Sequence, residues 1–323
     1  MNHALKNQCN FKPGTVIQGK WHGHRYILLK ELGRGANGTV YLVKKGDVEA
    51  ALKISTNSMS ITAEANVLKS FAKVQGHFLG PSLLDVDDWV LKDGRYSFYV
   101  MEYVKGPGLQ AFLDAKGKDW VLPLFLQLLD DIGQLHQNGW IFGDLKPENL
   151  IVAGPAPRIR CIDVGGTTLN GRSIKEYTEF FDRGYWGMGS RRAEPSYDLF
   201  AVAMVIVSTA YPGHFQKKEG GLAELLSAVS QKSELKIYKP VLVKAMQGRY
   251  SSAAEMRTDL LFCTGRPNPV GNTPQPTRSA LKQASRRAQS VKVRKKKSRI
   301  GETFYIVTVM AILYIVYIVM YLT

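Results

Sequence analysis

The stretch Ile141-Phe142-Gly143-Asp144-Leu145-Lys146-Pro147-Glu148-Asn149-Leu150 decides how this chain is read. It sets an Asp and an Asn five residues apart in a loop held by a proline. A carboxylate at Asp144 is suited to accept or orient a hydroxyl proton, and the Asn149 carboxamide on the same side of a cleft suits a divalent cation. Lys146 stands between them, within reach of a phosphoryl group in transit. Fourteen residues past Asn149 comes Cys161-Ile162-Asp163-Val164-Gly165, where Asp163 offers a second oxygen ligand to a cation bridging phosphates. A D-x-G triplet alone carries nothing; its order and spacing behind the first loop do.

Upstream lies Leu32-Gly33-Arg34-Gly35-Ala36-Asn37-Gly38-Thr39-Val40, a G-x-G-x-x-G-x-V pattern. Dinucleotide folds use similar glycines but need a helix after them, and Thr39–Val43 is strand-like. Strand, glycine turn and strand instead predict a hairpin whose backbone N–H groups lie over phosphates. Lys53 follows one strand later in Ala51-Leu52-Lys53, where a cation reaches the α- and β-phosphates. Glu64, the single acidic residue on the next helix, is the expected ion-pair partner. Its spacing of eleven residues from Lys53 implies a clipped strand-to-helix connection.

The periodicities fit this order. Tyr26–Leu32, Thr39–Val43 and Ala50–Ile54 read as strands, Ile61–Phe71 as a helix and Ser97–Val104 as a strand. Asp119–Asn138 is helical by period, and the chain after Asp198 is mostly helical. A β-rich portion with one helix, followed by a helical portion, predicts an α+β molecule of two lobes around a cleft.

With all four elements in place, residues from about Tyr26 to Leu261 resemble the Hanks-type serine/threonine protein kinases. The resemblance implies a two-lobed protein-kinase fold, ATP as phosphoryl donor, Mg²⁺ or Mn²⁺ as metal, and protein hydroxyls as acceptors, autophosphorylation included. It implies catalytic roles for Asp144, Lys146, Lys53 and Glu64, and metal ligation by Asn149 and Asp163. Nucleotide contacts fall to Gly33, Gly35, Gly38, Val40 and Lys53. In Phe98-Tyr99-Val100-Met101-Glu102-Tyr103-Val104 they fall to Met101 as gatekeeper and to backbone groups of Glu102 and Val104. Asp198 resembles the buried Asp that anchors the catalytic loop, and Arg249 the late structural Arg. Lys146, two residues after Asp144, fits the Ser/Thr class rather than the tyrosine class.

Departures from the family pattern are specific. Phe142-Gly143 replaces His-Arg before Asp144, so no arginine there reads a phosphate on the activation segment. Val164 replaces the D-F-G phenylalanine. Gly184-Tyr185-Trp186-Gly187 occupies the place of Ala-Pro-Glu, and Glu194-Pro195 lies too near Asp198 to substitute, which leaves Arg249 without its usual carboxylate. Thr167, Thr168, Ser173 and Thr178 are the candidate autophosphorylation hydroxyls of that segment. Two other readings stay in play: a small-molecule kinase, against which Lys146-Pro147-Glu148 argues, and a pseudokinase scaffold, against which the retained Lys53, Asp144, Asn149 and Asp163 argue.

Charge and hydropathy divide the rest of the chain. The 323 residues carry a net charge of +16 with 45% hydrophobic and 22% charged residues. Eleven Lys or Arg and no carboxylate lie between Leu260 and Gly301; without them and Glu302, residues 1–259 carry only +6. The excess therefore calls for a local anionic partner rather than a generally basic fold. Cys9, Cys161 and Cys263 suit neither a disulfide framework nor a zinc site, and the N-terminus lacks a signal-peptide core.

The expected organisation is an N-terminal extension (1–20) and a kinase domain (21–263, with lobes at about 21–104 and 105–263). A disordered basic linker (264–303) and a transmembrane helix (304–322) follow. Phe304–Leu322 is nineteen residues without a charge, long enough at about 1.5 Å each to cross a hydrocarbon core. Arg294, Lys295, Lys296, Lys297 and Arg299 just before it keep the N-terminal side in the cytosol by the positive-inside rule. The expected location is the cell membrane, with one span at the C-terminus and a cytoplasmic kinase domain. Expected partners are protein substrates, an anionic membrane, DNA along residues 278–299, and a second copy of the chain. The bare tail and basic linker, with the Ile-Phe-Gly-Asp loop, resemble the YabT-like kinases of spore-forming bacilli, which implies a link to sporulation.

Overall fold

The computed structural model describes residues 9–263 except 36, 74–78, 93 and 219. Six strands build an antiparallel sheet: β1 (Val16–Gln18), β2 (Arg25–Gly35), β3 (Gly38–Lys45), β4 (Val48–Ser55), β5 (Leu83–Leu91) and β6 (Gly94–Glu102). Their order is β1-β2-β3-β4-β6-β5. Alternation in Arg25–Leu28 sends Tyr26 and Leu28 inward to pack with Ile17, Tyr41, Val43, Leu52, Phe98 and Val100. Helix α1 (Ser58–Lys73) lies on β4, β5 and β6 through Ile61, Ala65, Leu68 and Phe71. Only Thr56 and Asn57 separate β4 from α1, the clipped connection that the Lys53–Glu64 spacing implied.

The lower lobe is mainly helical, with α2 (Leu109–Lys116) and α3 (Val121–Gln137) ahead of the short strands β7 (Trp140–Ile141), β8 (Leu150–Ala153), β9 (Arg158–Cys161) and β10 (Thr168–Leu169). Then follow α4 (Pro195–Ser208), α5 (Leu222–Gln231), α6 (Ser233–Lys236), α7 (Lys239–Met246) and α8 (Ala253–Phe262). Apolar residues surround α4 on every side, and it is buried from Tyr197 to Ser208. A helix hydrophobic all round is a core element, and α3, α7 and α8 pack on it. Hairpin β8–β9 pairs Leu150 with Cys161, and β7 pairs Ile141 with Thr168 of β10. These two pairings bring the Asp144 loop and the Asp163 loop side by side.

Several expectations need correction. Residues 9–18 are not an extension: β1 pairs with β2, and Cys9 is buried in the upper core. Strand β6 ends at Glu102, so Tyr103 and Val104 belong to the inter-lobe connection. Strands β1 and β5 were not anticipated, since Leu83-Leu84-Asp85-Val86-Asp87-Asp88-Trp89 buries three carboxylates on hydrogen bonds that no apolar alternation reveals. Among the described residues no helix is long and apolar enough to cross a membrane. The expected linker and span, residues 264–322, lie outside the described residues.

Candidate active site

Lys53 and Glu64 meet in the cleft between the lobes. The Lys53 ammonium donates to Glu64 Oε2 at 2.6 Å and lies 3.9 Å from Asp163 Oδ1. Glu64 is held in turn by Tyr99, whose hydroxyl donates to Oε2 at 2.9 Å, and by Ser60, whose hydroxyl donates to Oε1 at 3.1 Å. Burial alone would lower the Lys53 pKa; the carboxylates of Asp163 and Glu64 outweigh it and hold the ammonium charged. Tyr99 is driven well above its ordinary range by burial and by Glu64, so it remains a donor.

The catalytic loop is fixed from below. Asp198, fully buried on α4, accepts from the backbone N–H of Phe142 (2.8 Å) and Gly143 (2.9 Å), and lies 2.9 Å from His136 Nε2. This is the position the resemblance implied for Asp198. Gly143 has a structural cause as well: its φ is +87°, and a Cβ there would meet the Gly166 carbonyl at 2.7 Å. The arginine that commonly stands there is sterically shut out by the close passage of the Asp163–Gly166 segment.

Asp144, 8% exposed, is gripped from two sides. Lys146 Nζ donates to Asp144 Oδ2 at 2.6 Å, and Thr178 Oγ1 donates to Asp144 Oδ1 at 3.3 Å. Lys146 also donates to Thr178 at 3.1 Å, closing a triangle. Asn149 Nδ2 donates to the Asp144 carbonyl at 3.1 Å, which orients the carboxamide and leaves Oδ1 for a cation. Asp163 Oδ1 accepts from the Gly165 N–H at 2.9 Å, while its side chain stays 47% exposed to the cleft. This hard-oxygen donor pair fits a divalent ion carrying phosphates.

Above them a cleft of about 550 Å³ runs from Leu32 and Val40 to Met101 and Val104, a size that fits a nucleotide. Gly33, Gly35 and Gly38 line it, and the third is obligatory: φ is +138° and a Cβ would press on the Ile54 carbonyl at 2.5 Å. Met101 near the end of β6 and Val104 on the connecting segment are both buried. The Glu102 side chain is committed to Arg160 (2.9 Å), so this residue serves the cleft through its backbone.

Glu176 has no signal in the sequence, and Thr178 has a different one. Glu176 lies in the cleft beside Asp163, where the Asn37 side chain donates to it from the glycine hairpin. Burial and the charge of Asp163 push its carboxyl pKa up. Thr178 was a candidate phosphorylation site; the structure instead ties it to Asp144 and Lys146. Thr167 and Thr168 are buried, and of the four candidate hydroxyls only Ser173 is exposed. It faces Arg192 across an isolated antiparallel bridge. Arg249 is exposed and has no ion pair among the described residues, whereas Glu194 pairs with the buried Arg183 at 2.7 Å. Glu194-Pro195 therefore does neutralise an arginine, though one eleven residues upstream of Glu194 on the same segment.

A lysine–carboxylate pair, two oxygen ligands for a cation and a carboxylate steered by Lys146 and Thr178, grouped under a glycine hairpin, define a two-lobed phosphotransferase. The protein kinase domain model matches residues 26–260, and the chain belongs to that family. It is a serine/threonine protein kinase that acts on protein substrates with ATP and a divalent metal. Over 336 residues, spanning 100% of this chain and 99% of the relative, it is 48% identical to the serine/threonine-protein kinase YabT of Bacillus subtilis (strain 168). It is 24% identical over 275 residues to the probable serine/threonine-protein kinase PknB of Lactococcus lactis, across 76% of this chain and 43% of that one. The structure of vaccinia related kinase 3 shares the fold at a TM-score of 0.58 and 19% identity, covering 83% of this chain and 96% of that chain.

Proposed function

We propose that the kinase transfers the ATP γ-phosphoryl group to protein Ser or Thr hydroxyls through Asp144, with Mg²⁺ or Mn²⁺ held by Asn149 and Asp163. The arrangement that carries this reading is the convergence of Lys53 and Glu64 from the upper lobe with Asp144, Lys146, Asn149 and Asp163 from the lower lobe. Lys53, aimed by Glu64, holds the α- and β-phosphates. Asp144 orients the acceptor hydroxyl and takes its proton, and Lys146 follows the charge on the moving phosphoryl group. The cation, when bound, neutralises charge on the β- and γ-phosphate oxygens. Backbone groups of Glu102 and Val104 receive the adenine edge.

Residues 304–322 anchor the enzyme in the cell membrane with the kinase domain on the cytoplasmic side. This rests on the uncharged length of that segment and the basic cluster before it. The basic stretch 278–299 binds anionic polymer, DNA or lipid headgroups, and so gathers copies of the kinase for phosphorylation of one by another.

The test is incubation of the purified protein with labelled ATP, Mg²⁺ and a generic protein acceptor. Label on kinase or acceptor supports the reading, label on a small metabolite replaces it, and absence of label returns the chain to a scaffold role. Asp144→Asn lowers transfer about 10²–10⁴-fold in the same assay with the fold retained.

A further inference from the structure

The loop joining β1 to β2 carries Trp21-His22-Gly23-His24, and it folds over the middle of β5. Gly23, at φ +68°, turns the backbone between the two histidines. Both rings thereby face one carboxylate: His22 Nδ1 lies 2.7 Å from Asp85 Oδ1, and His24 Nδ1 lies 2.8 Å from Asp85 Oδ2. The three ligand atoms all lie within 4.8 Å of one another. Among the described residues this is the sole cluster of three or more His, Cys, Asp or Glu side chains so disposed.

We propose that His22, His24 and Asp85 form a surface site for a divalent transition-metal ion of the zinc type, remote from the phosphotransfer centre, that clamps the β1–β2 loop onto β5. Two imidazoles and a carboxylate, with a fourth position open to solvent, are a donor set that such ions take in preference to Mg²⁺ or Ca²⁺. The scaffold holds the donors in place before any ion arrives. Asp87 accepts from the backbone N–H of Trp21 (2.9 Å) and His22 (2.8 Å), and the Trp21 indole donates to Asp88 at 2.8 Å.

Asp85 is buried at the base of the cluster, and the Tyr26 hydroxyl donates to its Oδ2 at 2.6 Å, the outer hydrogen bond that commonly orients a ligating carboxylate. The rings are 54% and 43% exposed, so an ion enters from solvent without opening the lobe.

The experiment uses the full chain, untagged, metal-stripped and held in detergent micelles, with Zn²⁺ and Co²⁺ as probes. Equilibrium dialysis is expected to give one Zn²⁺ per chain. At a hundredfold excess over the dissociation constant, Zn²⁺ should raise the unfolding temperature by about 5 °C. Co²⁺ should develop visible absorption bands of a nitrogen–oxygen site, displaced by Zn²⁺. The double variant His22→Asn, His24→Gln keeps side-chain donors near Asp85 but removes the imidazoles. It should lose the ion, the temperature shift and the Co²⁺ bands while retaining phosphotransfer. Absence of bound ion in the unsubstituted protein, or equal binding and equal shift in the double variant, overturns the proposal. Should the variant fail to fold, the Co²⁺ spectrum and stoichiometry of the unsubstituted chain still decide it.

Discussion

Thr178 is the residue at which hydrogen bonding and chemistry meet most closely. Its hydroxyl donates to Asp144 and accepts from Lys146, so it holds the base and the phosphoryl-contacting cation in one geometry. Thr178→Val removes both bonds at a cost of about one to two powers of ten in kcat, with KM for ATP little changed; Thr178→Ser restores most of it. Steady-state kinetics on the three proteins checks this.

Glu176 makes a pH-dependent prediction. It stands among Asp163, Asp144 and Glu64, with Lys53 as the nearby cation, and its pKa is raised in the folded state. A carboxyl so raised favours folding while protonated, below its unfolded pKa, and that contribution is lost as pH rises through the folded value. Glu176→Gln should therefore raise the unfolding temperature of the nucleotide-free protein at pH 7.5. The gain should fade below about pH 4.3, the ordinary Glu value. Thermal melts across that range check the sign.

At the scale of elements, the activation segment is held by internal pairs rather than by a distant arginine. Arg183, 5% exposed, donates to Glu194, Ser196 and the Ser190 carbonyl, and Asp182 accepts from Arg191 and Tyr197. Glu194 is 40% exposed, so solvent screens part of what the Arg183 pair contributes. Glu194→Ala should cost about 1–2 kcal/mol in denaturant unfolding and raise KM for the protein acceptor more than KM for ATP. Asp198 is the sterner case. Asp198→Ala orphans two buried backbone N–H groups at about 1–3 kcal/mol each, and the loop bearing Asp144 loses its support. A fall in stability of a few kcal/mol together with loss of phosphotransfer is expected.

For the whole molecule, the basic charge carried by residues 264–303 sets the expected binding. Anionic vesicles and DNA should both bind the full chain, with affinity falling steeply as salt rises, because each phosphate contact releases counterions. A chain ending at residue 263 should lose that binding and keep basal phosphotransfer, since Lys53, Asp144, Asn149 and Asp163 all lie within residues 26–260, the span that the protein kinase domain model matches. Equal DNA binding by the two proteins would remove the basic stretch from the explanation.

The local chemistry of this protein was legible because it is written in residue types at fixed short spacings. Gly33 to Val40, Lys53, Asp144 to Asn149 and Asp163 each sit in a segment whose neighbours dictate strand or loop, and the cleft follows from their order. Tertiary packing alone decided the rest. Glu176 and Thr178 reach the cleft because the segment from Asp163 to Pro195 doubles back through the Ser173–Arg192 bridge, a long-range pairing that no periodicity encodes. Likewise the sequence shows at Gly143 only a missing arginine, whereas the Gly166 carbonyl lies where a Cβ would have to go, and β5 has no periodicity because its buried carboxylates are satisfied by a loop more than sixty residues away. Side-chain identity fixes what a group can do; which group stands beside it depends on close packing between segments far apart in the chain.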